Sequence, residues 1–526
     1  MLKVIVLLAY FALMIAIGLY CRKTATDVNG FVLGGRSVGP WLTAFAYGTS
    51  YFSAVVFVGY AGQFGWKYGI AATWAGIGNA IIGSLLAWVV LGRRTRIMTQ
   101  HLDSATMPQF FGQRYNSKAL KLCASLIIFV FLIPYTASLY NGLSRLFGMA
   151  FNIDYSVCIV LMAVLTGIYV IAGGYMATAI NDFIQGMVML VGIVAVIAAV
   201  LASKGGFMEA YQGLAQISDE TVSSAPGVFA SFFGPDPLNL MFVVILTSLG
   251  TWGLPQMVGK FYAIKSENDI HKGTVISTVF AIIVAGGCYF LGGFGRLYAD
   301  KIKYNEATGK PLFDTIVPAM LSTLPVVIIA IVVVLVLSAS MSTLSSLVLT
   351  SSSTLTLDVI KPYSKKEMDE KKQVFIMRLF IVFFILVSAV IAVIKDSIPG
   401  LTFIAQMMGV SWGALAGAFL APFLYGLYWK GVTKASVGVC YAWGCLMAVL
   451  QLTISLAKVD TSSWGPVLSY IFKSSINSGV VAMVGGLIIV PIVSAFTRKL
   501  DAKFVEETFS CYDKKTEVSQ KTSLGE

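Results

Sequence analysis

The stretch PVVIIAIVVVLVLSASMSTLSSLVLT (325–350) is apolar enough to cross a bilayer, yet hydroxyls interrupt it. At about 100° per residue, Ser338, Ser342, Ser345 and Ser346 fall within roughly a quarter-turn of one another. A helix here therefore carries one oxygen-bearing stripe, with Thr343 beside it. Polar side chains at membrane depth are tolerated where they face protein or a watery cavity, and there they mark ion or solute routes. Neutral oxygens suit a hard monovalent cation better than a proton or a transition metal.

The rest of the chain agrees with a bilayer setting. Its 526 residues are 57% hydrophobic and 12% charged, with mean hydropathy +0.82. That excludes a soluble domain of this length and predicts an all-α polytopic membrane protein. The net charge of +12 sits in short loops between apolar segments. It reads as a topology signal, not a nucleic-acid patch. Cys21, Cys123, Cys158, Cys288, Cys440, Cys445 and Cys511 are scattered and form no CxxC pair, so neither a metal site nor a disulfide framework is indicated. His101 and His271 fall in predicted loops, so a histidine proton relay is not expected. There is no GxxxxGK[ST] loop, and nothing indicates an enzyme. Ile5 to Tyr20 lacks a basic leader and a small-residue cleavage site and is followed by CRK; it reads as a retained first span.

Apolar spacing predicts thirteen spans, near 3–20, 41–62, 70–92, 119–147, 156–174, 181–202, 237–260, 273–298, 314–355, 374–394, 400–426, 432–456 and 478–497. The ninth is too long for one straight span and is expected to break or extend near Ser351–Thr356. With the N-terminus outside and the C-terminus cytoplasmic, 26 of the 37 Lys and Arg fall on the cytoplasmic side. The loop with Arg93, Arg94, Arg96, Arg114, Lys118 and Lys121 and the loop with Lys361, Lys365, Lys366, Lys371 and Lys372 carry most of the bias. The outer loop 203–236 is expected to hold a short surface helix. One membrane domain, 1–497 with core helices at about 41–426, is followed by a polar cytoplasmic tail, 498–526.

Two spans look interrupted. AFAYGTSYFSAVVFVGYAG opens the second and TSLGTWGLPQMVGKF ends the seventh. Interrupted helices at matching positions are the mark of transporters whose freed backbone groups bind ion and solute. With the first span set aside, spans 2–6 and 7–11 form two sets of five, and an odd number per set inverts one against the other. Asp182, in TAINDFIQGMVMLVG, stands at the expected start of the sixth span. A helix-start Asp favoured by the macrodipole accounts for it equally well from position alone. A carboxylate at depth costs on the order of 2.5–3.5 kcal/mol on insertion scales, so a partner is expected; a cation shared with the ninth-span serines supplies one.

The segments GGRSVGPWLTAFA (34–46), TMPQFFGQRY (106–115), GGYMATAINDFIQG (173–186) and SMSTLSS (340–346) resemble those of the sodium:solute symporter family, nearest its proline and pantothenate permeases. The resemblance covers about spans 1–11. It implies the leucine-transporter-type 5+5 inverted repeat, and a sodium site built from the carbonyls of Thr49, Phe52 and Ala339 with the hydroxyls of Ser342 and Thr343. Some members hold a second sodium, for which the matching positions are Asp182, Ser342, Ser345 and Ser346. One or two co-transported Na+ ions are thus implied. The solute site implied lies among spans two, four, seven and eleven, with candidates Ser50, Tyr51, Ser53, Tyr135, Trp252, Pro255 and Gln406. Tyr135 and Pro255 match positions implicated in the proline carrier. Tyr51 departs from it, replacing an Asp, and Thr247 replaces a Trp. The arginine that grips sialic acid is absent from span four. Ordinary helix packing accounts for any one of these aromatics taken singly.

The function expected is sodium-driven import of a small organic solute by alternating access: an amino acid such as proline, pantothenate or another small carboxylate. A sugar- or sialic-acid-type symporter is the alternative, and a transporter-like sensor or a proton-coupled carrier ranks below it. The partners are the solute, Na+ and the bilayer, with no nucleic acid and no obligatory protein partner. A bacterial plasma membrane is the expected home.

Overall fold

A computed structural model describes residues 2–513, apart from 152–153, 221, 224, 305–308, 310, 365–366 and 396–403. Among these residues the chain is helical, with only isolated β-bridges. Ten helical runs are long and apolar enough to cross a membrane, and a bent pair, Pro237–Gly253 with Pro255–Ala263, adds an eleventh. Two of the ten, Val55–His101 and Ile159–Ala202, contain 47 and 44 residues. A straight helix of that length runs to roughly 65–70 Å, about twice the bilayer's hydrocarbon core. Each is therefore parted, and glycines of left-handed backbone stand at the breaks: Gly69 (φ 63°) after Tyr68 and Gly174 (φ 55°) inside Tyr155–Ala202.

Both predicted interruptions are present. The helix Pro40–Tyr51 ends where Phe52 turns extended (φ −93°, ψ 121°). The helix Pro237–Leu249 tightens over Gly250–Gly253 and breaks at Leu254 (φ −86°, ψ 121°), bending by 48°. Pro255 then opens the next half-helix at its first position, where its missing N–H leaves no bond unmade. The near-identical torsions of Phe52 and Leu254 are what two inverted repeats require.

Several boundaries differ from expectation. The ninth segment begins at Val326, not 314, because Pro325 and the turn before it cut off a separate short helix, Ile316–Leu321. Of the two outcomes expected at its other end, a break or an extension near Ser351–Thr356, the helix extends, through a wide helical turn, Leu355–Ile360, to Tyr363. The sixth starts just past Gly174, so Asp182 is not a helix-start residue but lies about two turns inside, fully buried. His271 lies in the helix Glu267–Ala281 and His101 ends the helix Arg93–His101, neither in a loop. Loop 203–236 does carry a short helix, Phe207–Ala215.

Segments at both faces interlock. On the basic face, Arg36 donates to the carbonyls of Tyr262 and Ser104, and the buried Asp358 accepts from Thr106 while pairing with Lys121 at 3.3 Å. The chain after 498 is docked there by the helix Ala502–Phe509. Arg94 stacks between Tyr428 and Tyr512, and Arg114 lies over Phe509. On the opposite face Arg296 binds the Trp66 carbonyl and pairs with Asp219 at 3.0 Å.

Candidate ion and solute site

A helix that stops mid-bilayer leaves its last carbonyls without intrahelical donors. At the Tyr51–Phe52 break those carbonyls meet the ninth segment. Ser342 Oγ donates to the Thr49 carbonyl at 2.9 Å. Thr343 Oγ1 lies 3.3 Å from the carbonyl oxygens of both Thr49 and Phe52. The same two hydroxyls reach back to the Ala339 carbonyl, at 3.3 and 3.1 Å. Thr49, Phe52, Ala339, Ser342 and Thr343 are all buried. Five neutral oxygens thus converge, the donor set a hard cation takes.

The second constellation is arranged differently. Ser345 Oγ donates to the Ser342 carbonyl at 2.9 Å, and Ser346 Oγ lies 2.8 Å from Ser50 Oγ. Asp182 pairs with Lys260, on the half-helix Pro255–Ala263, at 3.6 Å. Lys260 also donates to Ser346 Oγ at 3.0 Å. Sequence reasoning missed Lys260, since a lysine at the expected end of a span (260) reads as an interfacial flank. Ser338, though on the serine stripe, belongs to neither group. Its hydroxyl meets that of Tyr10 on the first segment at 3.1 Å, and Gln185 donates to the same tyrosine at 3.0 Å.

The solute candidates divide. Tyr135 is fully buried, edge-on to Trp412 at 6.0 Å, with its hydroxyl directed at the Trp412 indole N–H and the Ser53 hydroxyl. None of these three polar atoms makes a hydrogen bond of ordinary geometry within the protein. Buried polar atoms left so need an explanation, and a bound ligand is one. Tyr51 stacks on Trp412 at 6.2 Å, its hydroxyl already donated to the Thr247 carbonyl at 3.1 Å. Ser50 turns away to Ser346, and Trp252 donates its indole N–H to the Ile82 carbonyl at 3.0 Å, a structural bond. Pro255 borders a small cavity with Lys260. The side chain of Gln406 lies outside the described residues. Trp412, not among the candidates, is the eleventh-segment residue that meets Tyr135; one tryptophan in an apolar run gives no signal that separates it from packing.

The family model described as Sodium:solute symporter family matches residues 31–442. The osmoregulated proline transporter OpuE of Bacillus subtilis is 30% identical over 452 residues, 85% of this chain and 88% of that protein. A sodium/proline symporter of Staphylococcus aureus is 30% identical over 512 residues, covering 95% and 94%. Among solved structures, a substrate-bound, outward-open Na+-coupled sialic acid symporter superposes with a TM-score of 0.70 at 18% identity, over 95% of this chain and 99% of that one. The likeness supports the leucine-transporter-type fold that the two matching breaks indicate. With that fold and these matches, the chain belongs to the sodium:solute symporter family, as a multi-pass carrier that couples sodium to a small solute.

Proposed function

We propose that the protein imports a small organic carboxylate with sodium, the ion resting on Thr49, Phe52, Ala339, Ser342 and Thr343. The observation that carries this reading is the convergence of those five oxygens at the break of the second segment. Ser53 lies inside the same break, so an ion that fixes the break against the ninth segment also fixes one wall of the solute cage. Binding is then coupled in both directions by the same factor.

The cage argues for the solute class. The Tyr135 and Ser53 hydroxyls and the Trp412 N–H are three neutral donors that face one another without a hydrogen bond of ordinary geometry, a set that fits a carboxylate. The relatives named for proline agree with that end of the molecule. Where proline carriers place an Asp, Tyr51 has its hydroxyl committed to a backbone carbonyl. The carboxylate is therefore the recognised group, and pantothenate and short monocarboxylates stand beside proline as solutes. Each sodium moving inward gains about 2.3 kcal/mol per 100 mV.

The basic face is taken as cytoplasmic by the distribution of Lys and Arg, in a bacterial plasma membrane. Thirteen spans follow if each parted run and the bent pair crosses as the breaks indicate. The test is uptake into proteoliposomes under an inward sodium gradient, with proline, pantothenate, short monocarboxylates and a neutral sugar. Sodium-dependent accumulation of a carboxylate, blocked by other carboxylates but not by their amides, is expected. Equal uptake in potassium-only buffer overturns the reading.

A further inference from the structure

We infer that the ammonium of Lys260 is a tethered cation occupying the seat beside Asp182 and Ser346, so that one sodium ion crosses with each solute. The inference rests on the sodium reading of the Thr49–Ser342 oxygens. It concerns the second constellation, where Lys260 stands against Asp182 and Ser346. Ser342 Oγ is donated to Thr49, and Ser345 Oγ is donated to the Ser342 carbonyl. Ser346 Oγ lies between Lys260 Nζ at 3.0 Å and Ser50 Oγ at 2.8 Å. Neither Asp182 oxygen makes a hydrogen bond, and the carboxylate's ionic partner is Lys260.

The lysine is built in. Its side chain is 4% exposed and that of Asp182 is 0%. The ring of Tyr175 stands 5.3 Å from Nζ, an aromatic wall of the kind that favours a cation. A buried charge persists only with a partner, and here carboxylate and ammonium leave the seat neutral. A sodium ion entering beside them puts two positive charges against one carboxylate in a medium that screens them weakly. The seat therefore rejects sodium while Lys260 is charged and in place.

The location gives the lysine a part in the cycle. Lys260 belongs to the half-helix beyond the Leu254 break, whereas Asp182 and Ser346 belong to the sixth and ninth segments. A cavity of about 50 Å³, room for a few waters, reaches from Lys260 and Ser346 past Tyr175 to Thr106 on the basic face. As the half-helix shifts, the ammonium leaves Asp182 for water and later returns. It acts as a positive charge that never crosses, joining the half-helix to the two segments whenever that side is closed.

Equilibrium binding of ²²Na+ to purified protein in nanodiscs, with the charge moved per solute in proteoliposomes, tests this. The wild-type protein is expected to hold one sodium and to show a sodium Hill coefficient near one. Lys260→Met is expected to open the seat, raising the count to two and the Hill coefficient above one. The added ion should be lost again in Lys260→Met/Asp182→Asn. A wild-type count of two, or a Lys260→Met count that stays at one, overturns the inference. Should Lys260→Met fail to fold, the wild-type count and Asp182→Asn decide: one sodium in both supports the lysine, and a fall from two to one overturns it. A wild-type count of zero instead sinks the sodium reading of the Thr49–Ser342 oxygens.

Discussion

The breaks at Phe52 and Leu254 have nearly the same backbone torsions, yet the chain surrounds them with different chemistry. Around the first, the ninth segment offers two hydroxyls to freed carbonyls, and the oxygens gather at one point. Around the second, packing dominates. A Cβ at Gly253 would come within 2.7 Å of the Ala416 backbone, so glycine lets the eleventh segment press against the break. Trp252 meanwhile spends its N–H on Ile82. A pseudo-symmetric backbone thus supplies two similar sockets, and the neighbouring helix lines one with hydroxyls and packs closely against the other.

That contrast can be broken by substitution. Ser342→Ala should raise the sodium concentration for half-maximal uptake at least tenfold, because it removes one of the five proposed ion ligands, a loss of about 1.5–3 kcal/mol. A sodium titration of uptake measures it; an unchanged midpoint would place the ion elsewhere. Gly253→Val should act in the opposite manner, lowering thermal stability in detergent by an overpacking cost of about 1–3 kcal/mol while the sodium midpoint of any folded protein stays put. A shifted midpoint there would mean that the two breaks share the ion. Tyr135→Phe should raise the solute KM threefold to tenfold, about 0.5–1.5 kcal/mol, with kcat little changed. Smallest of all, Trp252→Phe should cost about 1 kcal/mol of stability and leave both KM and sodium dependence within twofold. A large KM effect would return Trp252 to the solute site.

The oxygens of the ninth segment were legible because a hydroxyl in an apolar run is conspicuous at any helical phase. The breaks were legible as SYFS and GLP, where an apolar helix has no other reason to falter. Lys260 was not, since a basic residue near a span's end ordinarily reaches for headgroups, and only the fold brings Asp182 within 3.6 Å of it. The depth of Asp182 depended on one torsion, the φ of 55° at Gly174, which moved the helix start several residues toward the N-terminus. Trp412 became visible only when the fold brought both Tyr51 and Tyr135 against it.

Ser342 meets the Thr49 carbonyl through its side chain and accepts Ser345 Oγ through its own carbonyl. On the proposed reading, a single residue's length of backbone therefore separates the place that takes an ion from solution from the place that holds a charge already attached to the chain. Any tilt or rotation of the ninth helix that loosens one grip must disturb the other in the same movement, so the carrier needs no relay between them to release its cargo and open its exit together.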